Sequence, residues 1–112
     1  MAKTDIRAYS KYAIDAMQLM GKMIRFARIE RGMTVIELAG RAGVSRGSIQ
    51  RIERGDPGCS LGTVFEVSAI LGIPLFYADR EELVRHNARM DDKLALLPER
   101  VRKPAEDIDD DF

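Results

Sequence analysis

The sequence predicts an all-α protein: five helices, the first of them long, followed by an acidic tail. Three observations carry that reading. Apolar residues recur in steps of three and four, the spacing of one helix face. Each apolar run opens on a small polar residue, and the runs close on glycine or, for the last one, on proline. No stretch shows strand alternation, an internal repeat or a second core. A chain of 112 residues with 46% hydrophobic residues is enough for one small domain and a tail.

The first helix carries Ile6, Tyr9, Ala13, Met17, Met20, Ile24 and Ala27 on one face and runs to Arg31, with Gly32 in the C′ position. Ser10 serves as its N-cap, which leaves residues 1–9 as an N-terminal arm. Gly21 is expected to weaken its middle. Thr34 caps the second helix, and Glu37, three residues on, completes a capping box. That helix carries Ile36, Leu38 and Ala39 and ends by Gly43. Ser45 caps the third, which turns Ile49 and Ile52 inward and stops at Gly55. Asp56-Pro57-Gly58 is a loop. Ser60 caps the fourth helix, with Leu61, Val64, Phe65, Ala69 and Leu71, and Gly72 closes it. After the Ile73-Pro74 bend, Leu75, Phe76 and Tyr77 are expected to seal the bottom of the core.

The fifth helix starts near Asp79 or Arg80, with Glu81 and Glu82 at the positive end of its dipole. It presents Leu83, Asn87, Met90, Leu94 and Leu97, a short coiled-coil-like seam that Pro98 ends. Either this seam pairs two copies, with Asn87 fixing the register, or it folds back onto the first helix, where Met17 and Met20 also need cover. Residues 10–97 then form the domain and 98–112 a tail, expected to be disordered when alone. The tail ends in AEDIDDDF, where Ile108 and Phe112 sit four residues apart. Three roles stay open for it: ordering on a basic partner, competing with the third helix's own ligand, or solubility alone.

The net charge of zero hides an asymmetry. Residues 1–55 hold 11 Lys/Arg against 5 Asp/Glu, whereas residues 56–112 hold 7 against 13. A basic half points to a polyanion, of which nucleic acid is the commonest. There is no apolar run long enough for a membrane span and no signal-peptide pattern at the start. The lone cysteine, Cys59, fits a reducing compartment, so a cytoplasmic, nucleoid-associated protein is expected.

Catalytic and metal sites are not expected. His86 is the only histidine and has no second ligand at helical spacing. Cys59 has no histidine to activate it. Asp91-Asp92 and Asp109-Asp110-Asp111 lack the spacing and turn glycine of a calcium loop. Neither a phosphate loop nor a dinucleotide fingerprint is present. Met17, Met20, Met23 and Met33 read as core fillers. No enzyme activity, cofactor or metal is therefore expected.

The informative stretch is LAGRAGVSRGSIQRIERG, residues 38–55. Ala39 is small where a following helix approaches, Gly43 allows the reversal, Val44 plugs the corner, and Ile49 and Ile52 pack the third helix back on the second. That is the steric plan of a helix-turn-helix. With Ile49 and Ile52 buried, Arg46, Gly47, Ser48, Gln50, Arg51 and Arg54 remain outward. Arg46 and Arg51 suit guanine edges. Gln50 suits adenine but points partly sideways. Gly47 lets the backbone approach closely. Thr34, Ser45 and Ser48 offer hydroxyls and helix N-termini to phosphates, and Arg41 and Arg54 lie where the DNA backbone runs past.

Residues 22–77 resemble the phage-repressor-like (Cro/CI, xenobiotic-response-element) helix-turn-helix family, through IRFARIERGMTVIELAGRAGVSRGSIQRIERGDPGCSLGTVFEVSAILGIPL. The resemblance implies a five-helix lambda-repressor-like bundle that binds double-stranded operator DNA as a homodimer and reads it with its third helix. It also implies that Arg28 pairs with Glu53. Many relatives carry Lys or Arg after the third helix, where this chain has Asp56-Pro57-Gly58-Cys59. The flanks AYSKYAIDAMQLMGKMIRFAR and LALLPERVRKPAEDIDDDF look like HipB-like antitoxins, which implies an autorepressor that also restrains a HipA-like kinase toxin. A protein-interaction adaptor of the same shape, without operator binding, is the alternative that the acidic loop and tail leave open.

Overall fold

The computed structural model describes residues 8–101 and 103. Five helices, and no strand among the described residues, make up the fold: α1 (Lys11–Glu30), α2 (Val35–Ala42), α3 (Arg46–Glu53), α4 (Leu61–Ile70) and α5 (Arg80–Ala95). The chain divides into two units, one ending at Tyr77 and the other starting at Ala78. The expectations placed on residues 1–7 and on Ile108 and Phe112 lie outside the described residues.

The helix boundaries follow from local hydrogen bonding. The hydroxyls of Ser10, Thr34, Ser45 and Ser60 each accept from the backbone N–H three residues on. Asp79 does the same at α5, and both Thr34–Glu37 and Asp79–Glu82 are complete capping boxes. Gly32, Gly43, Gly55 and Gly72 all carry positive φ where the chain leaves a helix. At the turn between α2 and α3, Gly43 has φ 71° and Val44 N–H donates to the Ala39 carbonyl at 3.0 Å, so the reversal closes within a few residues.

The core of the first unit joins α1 to α4: Ile24, Ala27, Leu38, Ala39, Ile49, Ile52, Val67 and Leu71 are buried together. Met20, Met33, Val44, Cys59 and Val64 pack around them, half-buried. Ser68 is fully buried, and its hydroxyl donates to the Val64 carbonyl at 2.9 Å, which satisfies the group within its own helix.

Several sequence expectations need correction. Ile36 is exposed because α2 turns Leu38 and Ala39 inward, and Leu38, two residues on, stands about 200° round the helix from it. On α4, Val67 is buried instead of Leu61 or Ala69, since the buried row runs through Val67, Ser68 and Leu71. Phe76 and Tyr77 do not seal the core. Both adopt left-handed backbone (φ 56° and 53°), which projects them outward at 73% and 97% exposure. Phe76 instead meets Phe65 edge-on, with ring centroids 6.2 Å apart. Gly21 is buried, and its missing side chain is a packing requirement rather than a weakness of the helix.

In the second unit, α5 has no buried residue. Leu83 is half-buried, whereas Asn87, Met90 and Leu94 are exposed. Leu97, expected as the last residue of the seam, falls beyond the helix end. Pro98 disfavours helical backbone in the residue before it, and the chain tightens there, with Leu97 N–H donating to the Leu94 carbonyl.

Candidate nucleic-acid interface

Helix α3 is eight residues long and depends on its partners for position. Ile49 and Ile52 are buried and lock it against the rest of the core. On its C-terminal side Glu53 is turned back into the protein. Arg28 of α1 donates from Nε to Glu53 Oε2 at 2.6 Å and from Nη2 to Oε1 at 3.2 Å. Arg28 Nη1 also donates to the Met33 carbonyl at 2.8 Å. One guanidinium therefore ties α1, the α1–α2 turn and α3 together, with both side chains about nine-tenths buried. The hydrogen bond it donates to Glu53 raises the Arg28 pKa above its ordinary value, against the opposing effect of burial. Arg25 lies 3.9 Å from the same carboxylate and is exposed. The sequence reading missed Arg25, although its place three residues before Arg28 marks it as a neighbour on one helix face.

With its acid neutralised, α3 presents Arg46, Gln50, Arg51 and Arg54 to solvent. At about 100° per residue, Gln50 stands as far from Ile49 and Ile52 as Arg51 does. Arg46 is the more lateral residue, so Gln50 is not the sideways one. Arg54 and Gly47 lie at the middle of this face. Gly47 is half-buried, with Arg51 Nη1 3.6 Å from where a Cβ would stand. Arg51 folds back along the helix and its Nη2 donates to the Ser48 hydroxyl at 3.4 Å.

The hydroxyls of Ser45 and Ser48 lie 3.0 Å apart at the start of α3, and Ser45 also accepts from the Ser48 N–H at 3.1 Å. Thr34 is held by its capping box at the start of α2, and Arg41 is exposed near the end of that helix. Thr34 and Arg41 thus belong to α2, and Ser45, Arg46, Gly47, Ser48, Gln50, Arg51 and Arg54 to α3 and its flanks. Asp56, the acid after α3, is occupied locally: its Oδ1 accepts from the Gly58 N–H at 2.7 Å. Beside it, Cys59 is half-buried, and burial followed by the Asp56 charge pushes its thiol pKa up despite Arg51 and Arg54.

A short helix carrying arginines outward, joined through a left-handed glycine to a helix that packs beneath it, is the DNA-reading arrangement of a helix-turn-helix protein. Residues 24–77 match a family model described as helix-turn-helix. The chain is 31% identical over 96 residues to an immunity repressor protein of Bacillus phage phi105, a match that covers 80% of this chain and 67% of that protein. It is 36% identical over 59 residues to an HTH-type transcriptional regulatory protein of Pyrococcus horikoshii, covering 53% of this chain. That match spans 19% of the Pyrococcus protein's length. The chain belongs to the helix-turn-helix family of DNA-binding transcriptional regulators. Among the described residues no helix is long and apolar enough to cross a membrane.

Proposed function

We propose that the protein is a repressor that binds operator DNA as a homodimer, with α3 in the major groove. The observation that carries this reading is the face of α3: four exposed polar or cationic side chains, Arg46, Gln50, Arg51 and Arg54, with Glu53 withdrawn onto Arg28. An outward carboxylate there would repel phosphate, whereas a withdrawn one leaves no anion among these side chains. Gln50 and Arg51 are placed to read base edges, with Arg46 beside them. Arg54, Arg41, Thr34, Ser45 and Ser48 serve the phosphates, and Gly47 admits the backbone. Two copies address half-sites about 34 Å apart, held by the α5 seam of Leu83, Asn87, Met90 and Leu94, with Leu97 just beyond it.

A competition mobility-shift assay on the DNA upstream of the protein's own gene tests this. Arg46→Ala and Arg51→Ala are each expected to cost about 1–3 kcal/mol of specific binding and to relax one base position. Arg54→Ala is expected to weaken all sequences alike and to flatten the salt dependence. Full specificity in both Arg46→Ala and Arg51→Ala would remove α3 as the reader. No operator binding by the unaltered protein would favour the adaptor alternative.

The finer reading, an antitoxin that restrains a kinase-like toxin through its tail, is supported by the resemblance of the flanking segments. Deleting residues 105–112 tests it. Loss of binding to the product of the adjacent gene, with operator affinity intact, is the expected result. Tighter, less salt-sensitive operator binding would point to self-inhibition instead, and no change in either assay would leave a solubility tail.

A further inference from the structure

We infer that the outer face of α1 is a self-pairing surface, on which the α1 helices of two copies pack antiparallel about a two-fold axis. The core side of α1 is Gly21, Ile24 and Ala27. A second apolar row runs beside it: Tyr12, Ala16, Leu19, Met23 and Phe26, in alternating steps of four and three. That alternation is the seam of a coiled coil. Among the described residues nothing covers it, since Tyr12 is 86%, Leu19 59% and Phe26 67% exposed. A 20-residue helix with two apolar rows has one more face than the fold of the first unit uses.

The charges beside the row select its occupant. Asp15 and Lys22 border the row on the side away from the core, both are exposed, and neither joins an ion pair among the described residues. In an antiparallel pair with the axis between positions 16 and 19, Ala16 faces Leu19 of the second copy and Tyr12 faces its Met23. Asp15 then runs alongside Lys22 of that copy, and the two-fold axis repeats each contact. Small meets large and acid meets base, the self-complementarity that an isologous interface requires. In a parallel pair the same two charges would lie against Met20 and Ala27, which offer no partner. This surface and the α5 seam belong to different units of the chain. Where the two surfaces pair about different two-fold axes, each copy binds two others and occupation of adjacent operators becomes cooperative.

The test is sedimentation equilibrium of the full-length chain without DNA, so that its outcome does not depend on operator binding. Leu19→Glu is expected to remove one association step. Lys22→Asp and Asp15→Lys should each weaken that step about tenfold, because every pair holds the contact twice. The double variant Asp15→Lys/Lys22→Asp should restore it, as should an equimolar mixture of the two single variants. All of these positions are on the surface, and helical circular dichroism checks that the fold is kept. Charge reversals without effect, or a double variant that stays dissociated, would overturn the proposal. Failure of the α5 seam reads differently: Leu94→Glu would then leave the mass unchanged while the α1 variants still altered it.

Discussion

Gly21 of α1 lies against the main chain of α3: a Cβ there would stand 2.5 Å from the Ile52 carbonyl oxygen and 2.7 Å from that of Glu53. From the other side, a Cβ on Gly55 would stand 2.9 Å from the Cα of Gln18. Two glycines thus let α1 cross the end of α3 at backbone distance, and from that crossing the Glu53 side chain meets the guanidinium of Arg28, two turns further along α1.

Gly21→Ala is therefore expected to destabilise the protein by about 2 kcal/mol or more through overpacking, although alanine is the better helix former by about 1 kcal/mol. The control is Gly40→Ala, where nothing lies within 4 Å of the new methyl. That change is expected to stabilise by up to about 1 kcal/mol. Urea denaturation of both variants checks the pair, and equal effects would mean that the close crossing does not matter.

Glu53→Ala is expected to lower stability by about 3 kcal/mol, because it leaves the Arg28 guanidinium buried without its anion. Arg28→Ala should be similarly severe, since it strands the Glu53 carboxylate and removes the donor to the Met33 carbonyl. A double-mutant cycle should return a coupling above about 1 kcal/mol. Additive losses would show that the bridge does not join α1 to α3 energetically.

Cys59 is expected to alkylate more slowly than free cysteine at pH 8, because burial and Asp56 hold its thiol pKa above the ordinary value. Folding favours the neutral thiol, so its contribution to stability is complete below the ordinary thiol pKa. That contribution is lost as pH rises through the raised value. Iodoacetamide labelling followed by mass spectrometry, with and without denaturant, measures the difference. Equal rates in the two conditions would contradict it.

Leu94→Glu places a charge at the C-terminal end of the α5 seam, where Leu94 is 58% and Met90 53% exposed. Sedimentation should show the mass halved, and operator affinity should fall at least about tenfold because the two half-sites are no longer bound together. Unchanged mass and affinity would remove α5 as a pairing surface.

The helix starts and stops were legible in the sequence because each depends on atoms within a few residues. A Ser, Thr or Asp side chain reaches an N–H three positions on, and a glycine takes the left-handed turn that follows. The left-handed Gly43, the burial of Ile49 and Ile52, and hence the arginine-bearing face of α3 follow from the same local rules. Tertiary packing decided what those rules leave open. Sequence periodicity marked the inner row of α1 but missed the outer one, because both rows are apolar and only a neighbouring helix distinguishes them. It read Gly21 as a flaw because the carbonyls it meets belong to residues some thirty positions away. It buried Phe76 and Tyr77 because they are hydrophobic, whereas their left-handed backbone turns them to water. A hydrogen bond to a near neighbour can be inferred from the chain alone, but which apolar face is covered depends on what the rest of the fold brings against it.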